Sequence, residues 1–203
     1  IESSVNDFDK EILCKKQLLE KLLNEHPDTD WIFWMDGDTL LDGRLLRNEA
    51  QEIKMMLNAA SSQGIDILTL GHYNLWRSDI FYRVDTDYDW LHNHGVKAFW
   101  RNNGVLHFPD NSGLHQPQHP SGLETEARVD RNLIHRGFAT EQQILTRYNL
   151  YKSKGQKGYL LERLIDEKKL SVIEVDKNQL PDWFQVNDAE NPISKERLIN
   201  KNE

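Results

Sequence analysis

The chain has 203 residues, 38% of them hydrophobic, with 25 lysines and arginines against 33 aspartates and glutamates, a composition that suits one globular domain of ordinary size. A formal net charge of -8 argues against a protein whose main task is gripping a nucleic-acid backbone, since that work draws on an excess of basic side chains. The longest uninterrupted apolar run, Trp31 to Met35, is far below the roughly 18–20 residues needed to cross a bilayer, so no transmembrane segment is expected.

The sequence opens Ile1-Glu2-Ser3-Ser4, without the basic start or apolar stretch of a secretory signal, and its single cysteine, Cys14, cannot form an internal disulfide. A reducing, cytoplasmic setting is the expectation. Asn6 to His26 reads as an amphipathic helix with Phe8, Ile12, Leu19 and Leu23 on one stripe, ended by Pro27. Trp31 to Met35 is too short for a helix and apolar on both alternating faces, as a central strand covered on each side would be. It stops at Asp36-Gly37-Asp38.

A second helix is expected from about Arg44 to Ser61, closed by Gly64, followed by a strand over Ile65 to Leu70. Gly71 to Trp90 lacks a helical period and reads as loops and short strands. Val96 to Trp100 and Val105 to Phe108 flank the turn signal Asn102-Asn103-Gly104 and predict a hairpin. Pro109 to Gly122, with three prolines and two histidines, is a long loop of the kind that often carries function. Helices over Glu141 to Ser153 and Tyr159 to Lys169 and a strand over Ser171 to Val175 complete a domain spanning residues 1–186, with a polar tail over 187–203.

Charge is unevenly spread. Thr125 to Arg163 holds eight basic side chains against four acidic ones, which on charge alone is a solvated surface. The sharper signal is Asp36-Gly37-Asp38. In extended chain two residues one period of two apart point the same way, and paired carboxylates repel unless a hard cation joins them. Magnesium and manganese are bound by one or two carboxylates together with substrate phosphates. The competing reading is that these aspartates merely end the strand and cap the next helix.

Asp30-Trp-Ile-Phe-Trp-Met-Asp-Gly-Asp-Thr-Leu-Leu-Asp42 resembles the Asp-x-Asp segment of nucleotide-sugar-dependent glycosyltransferases with the GT-A fold. Tyr82-Arg-Val-Asp85, Phe99-Trp-Arg101, Gly113-Leu-His115, Ile134-His-Arg-Gly-Phe138, Arg147-Tyr148 and Tyr151 are similar, in order and spacing, to the second half of family 2 glycosyltransferases. The resemblance spans roughly Phe8 to Phe184 and implies an α/β, GT-A-like fold with a mainly parallel central sheet flanked by helices. It covers the metal-binding and acceptor half. Only 35 residues precede Asp36, so part of the N-terminal nucleotide-binding half is expected to be lacking, as in a fragment or a reduced form.

The resemblance further implies that Asp36, Asp38 and His135 hold Mn²⁺ or Mg²⁺, with Asp36 also near the ribose of a nucleotide-diphosphate sugar donor. Imidazole favours manganese. Arg83, Arg101, His115, Arg136, Arg147, Tyr148 and Lys152 are the further substrate-binding candidates, the cations serving a leaving diphosphate. An inverting transfer also needs a carboxylate to deprotonate the acceptor hydroxyl of a glycan or similar molecule. Asp85 is favoured, as part of the matched Arg-x-Asp, and Asp87 is the second candidate. Two rivals stand beside this reading. Asp36-Gly-Asp-Thr-Leu also resembles the first motif of haloacid-dehalogenase phosphatases, though without the glycine that precedes threonine there. A non-catalytic module that binds carbohydrate or a partner is the other.

Overall fold

The computed structural model describes residues 8–41, 43–84, 95–109, 119–162, 164–165 and 172–175. Helix α1 (Phe8–Glu25) forms on the expected stripe: Ile12 and Leu19 are buried, Leu22 and Leu23 half-buried, while Leu13 and Leu18 face outward. Glu11 and Lys15 pair at 2.6 Å one turn apart, in the order that also suits the helix dipole. Helix α2 (Gly43–Ser62) ends as its sequence predicts. Gly64 takes φ 70°, its N–H donates to Ser61 C=O, and Ile65 N–H reaches back to Ala60 C=O. That pair of bonds satisfies carbonyls the helix leaves open, and the left-handed residue that allows it is best a glycine.

The strands are β1 (Trp31–Phe33), β2 (Thr39–Leu41), β3 (Ile67–Asn74), β4 (Phe81–Arg83), β5 (Val96–Arg101), β6 (Glu126–His135) and β7 (Val172–Glu174). The first, second, third, fifth and sixth form a sheet in the order β1-β5-β3-β6-β2, and β4 pairs with β7 separately. β1 runs antiparallel to β5, and β2 antiparallel to β6. Ile67 N–H donates to Thr125 C=O at one end of β3 and Leu75 N–H to His135 C=O just past the other, so β3 and β6 run parallel. The class is α/β as expected, but the sheet is mixed rather than mainly parallel.

Two local expectations are also corrected. Trp31 to Met35 is not a central strand: β1 lies at the end of the strand order, and Phe33 and Met35 are exposed. Nor does Val105 to Phe108 return as a hairpin partner of β5. Both edges of β5 are already taken, by β1 and β3, so no ladder is open to it. The turn is instead tied to other loops, with Asn102 Nδ2 donating to Thr29 C=O and Asn103 Nδ2 to Gly122 C=O. Helices α3 (Glu141–Ser153) and α4 (Tyr159–Glu162) come after β6.

The chain forms two compact units. The first comprises Ile1–Trp34, Met55–Thr69 and Lys97–Arg128, and the second Met35–Lys54, Leu70–Val96 and Val129–Glu203. In the first, Ile12, Leu19, Ile32, Trp100 and Phe108 make the core, with Trp34 stacked on Trp100 at 5.1 Å between ring centres. The second holds two clusters, Tyr73, Leu75, Tyr82, Ile134, Ala139 and Val175 in one, and Trp76, Phe138, Ile144, Leu161 and Leu164 in the other. Among the described residues no helix is long and apolar enough to cross a membrane.

Candidate functional site

The second unit brings together residues that are far apart in sequence. Asp36-Gly37-Asp38 is a turn between β1 and β2, in which Thr39 N–H donates to Asp36 C=O at 3.1 Å. The two carboxylates therefore do not share one side of an extended strand: Asp36 is exposed and Asp38 half-buried. The antiparallel register sets Thr39 opposite His135, which carries Asp38 to the turn that ends β6. Arg136 N–H closes the junction, donating to Asp38 C=O at 2.8 Å.

Helix α3 contributes the third group. Thr140 caps it: its hydroxyl accepts from Gln143 N–H while Gln143 Oε1 accepts from Thr140 N–H, a reciprocal pair that fixes the first turn. Ile144 is fully buried on the inner face, and Arg147 sits at the next helical step. Its Nε donates to Gly137 C=O at 2.9 Å, its guanidinium lies 5.0 Å from the centre of the Phe138 ring, and its Nη2 donates to Asp38 Oδ2. His135 Nε2 lies 3.3 Å from the same oxygen. On the far side of the imidazole, Nδ1 lies 2.9 Å from Asn74 Oδ1, on β3.

Gly137 is the floor of this arrangement. A Cβ built there would sit 2.3 Å from Arg147 Nη2, 2.5 Å from His135 Nε2 and 2.7 Å from Asp38 Oδ2. All three are closer than real Cβ contacts come, so the polar groups converge on a spot that only glycine leaves open.

The electrostatics are set by these contacts. Partial burial by itself raises the Asp38 pKa, but the hydrogen bond and charge of His135 and the charge of Arg147 outweigh it and hold the carboxyl down to about 2. His72 packs against His135 with ring centres 5.0 Å apart. Burial first, and then the neighbouring His135, keep His72 well below the ordinary histidine value. Asp38 is thus an anion at any ordinary pH, beside a neutral buried imidazole.

Asp38 and His135 offer one carboxylate oxygen and one imidazole nitrogen facing each other. That donor set fits a divalent ion which takes its remaining ligands from phosphate and water. Among the described residues no group of three or more histidine, cysteine or acidic side chains is placed to hold a metal ion. Arg147 already donates to the same carboxylate oxygen, and an incoming ion would compete with it.

The remaining expected site residues have varied surroundings. Arg136 pairs with the buried Asp79 at 2.9 Å, its own side chain 43% exposed. Arg83 is 2% exposed, its guanidinium 4.3 Å over the Trp76 ring. Tyr148 is half-buried against the Phe138 cluster, with Lys152 Nζ 5.6 Å from its ring centre. Arg101 belongs to the first unit, where its N–H donates to Asp66 C=O; burial raises the Asp66 carboxyl, but hydrogen bonds from Glu124 and Thr125, and after them the charge of Arg101, lower it. Asp85, Asp87 and His115, and the 187–203 tail, lie outside the described residues.

Asn74, His72 and Asp79 were not singled out by sequence. The one signal available for them was the dense mixture of polar and aromatic residues after Leu70, which carries no helical period. Comparison with protein-family models, with curated proteins and with solved structures finds no match.

Proposed function

We propose that this chain is a metal-dependent glycosyltransferase domain that moves a sugar from a nucleotide-diphosphate donor to a hydroxyl acceptor on a glycan or similar molecule. The observation that carries this reading is the approach of Asp38 and His135, from two motifs 97 residues apart, to 3.3 Å with Arg147 on the same carboxylate. Asp38 and His135 hold the cation, Mn²⁺ or Mg²⁺, and Asp36 stands next to them in the same turn. When bound, that ion supplies Lewis-acid stabilisation of the negative charge that builds on the departing diphosphate.

The protein's own part is positioning and charge. Arg147 exchanges Asp38 for the diphosphate when the donor arrives, since a guanidinium binds phosphate oxygens in a two-pronged fashion. Arg136, whose head is partly exposed, is the second cation at this pole. Asp85 takes the acceptor proton, with Asp87 as the alternative. One feature favours a second reading, a non-catalytic module that binds carbohydrate or a partner: the Arg147–Asp38 pair already neutralises the carboxylate without any ion. Isothermal titration with sugar nucleotides, with and without Mn²⁺, separates the two. The transferase reading expects binding that depends on the ion; glycan binding indifferent to chelator supports the module.

A further inference from the structure

The geometry points to Asn74 as a positioning residue: its side-chain oxygen holds the His135 imidazole as the Nδ1–H tautomer, leaving the Nε2 lone pair facing Asp38 for a cation. Asn74 Oδ1 has only lone pairs to offer, so the ring nitrogen 2.9 Å from it must carry the hydrogen. A neutral imidazole carries one N–H, and Nε2 is then bare.

Nε2 and Asp38 Oδ2 are 3.3 Å apart, longer than the roughly 2.7–2.9 Å of a charge-assisted hydrogen bond. While the ring carries both protons, Nε2–H faces the carboxylate and supports its charge; in the neutral ring the bare Nε2 and Asp38 Oδ2 face each other across 3.3 Å, and a cation can take the place of the lost proton. Asn74 is 4% exposed on β3, and the His135 side chain is 12% exposed, so neither has freedom to turn away. Metal-binding histidines commonly donate their second N–H to a fixed acceptor, which sets ring orientation and raises ligand basicity. The metal-binding consequence rests on the transferase reading, whereas the tautomer rests on the contact alone.

The test is a long-range ¹H–¹⁵N correlation spectrum of ¹⁵N-histidine-labelled, metal-free protein above pH 8, with His135 assigned through His135→Gln. The expected spectrum shows His135 Nδ1 at a protonated shift and Nε2 at a bare-nitrogen shift. An Nε2–H tautomer, or a doubly protonated ring, overturns the assignment without any variant. Asn74→Leu should release the preference and Asn74→Asp, which restores an acceptor, should bring it back; a leucine variant that keeps Nδ1–H overturns the role of Asn74. Mn²⁺ alone, titrated by electron paramagnetic resonance, should bind Asn74→Leu about 10–100-fold more weakly than wild type, with Asn74→Asp recovering most of the loss. If wild type shows the Nδ1–H tautomer but takes up no Mn²⁺, the transferase reading fails while the tautomer assignment stands.

Discussion

Replacing Gly137 by alanine tests the convergence of the site without removing any of its polar groups. The new methyl carbon would lie 2.3, 2.5 and 2.7 Å from Arg147 Nη2, His135 Nε2 and Asp38 Oδ2. The arginine head is the flexible end of a long side chain and moves first, at the loss of its bond to Asp38. The other two are fixed by the β2–β6 register and by Asn74, so clearing them requires backbone or rotamer shifts. Overpacking of this kind costs about 1–3 kcal/mol, and a lost hydrogen bond at a half-exposed site about 1 more. For a chain of this size about 1 kcal/mol moves Tm by roughly 2–4 °C, so the expected fall is about 4–16 °C. Thermal unfolding monitored by circular dichroism measures it, repeated in an Arg147→Ala background. There the nearest contact is gone, and the penalty should shrink by about 1 kcal/mol. A Gly137→Ala protein melting within about 1 °C of wild type, or a penalty unchanged by Arg147→Ala, would refute the convergence.

The same contacts have other consequences. Asp38, lowered from an ordinary 3.8 to about 2, contributes stability that is present above about pH 4 and lost as pH falls through 2; the gap between wild type and Asp38→Asn in urea melts should therefore close over that window. Thr140→Ala removes one half of the α3 cap and should cost about 1 kcal/mol, or roughly 2–4 °C in Tm, with Thr140→Ser recovering most of it. Trp100→Ala empties the fully buried centre of the first unit's core and should cost about 3–5 kcal/mol in denaturant titration.

Where a helix buries a stripe, the sequence carries the stripe openly, and α1, α2 and α3 form within one or two residues of their expected bounds. Gly64 and Pro27 end their helices for local steric reasons that need no tertiary knowledge. Strand β6 was hidden. Its first half alternates exposed Glu126, Arg128 and Asp130 with half-buried Ala127, Val129 and Arg131, a period of two written almost wholly in charge, and it reads as a solvated tract. Pairing partners were hidden too: nothing near Val105 announces that both sides of β5 are occupied. The same limit applies at the site. Asp38, His135 and Arg147 were legible as types in motifs, but the register that joins them and the acceptor on β3 are properties of the assembled sheet. Asp36 illustrates the converse: a spacing of two implies a shared side only in extended chain, and here the chain turns.

The most direct measurement is a crystal structure of the protein soaked in manganese with a nucleoside diphosphate, read by anomalous scattering. The account predicts an ion between Asp38 and His135, with Arg147 released from the carboxylate and engaged on the phosphates. An Asp38–Arg147 pair left intact, with manganese bound elsewhere or not at all, would contradict it.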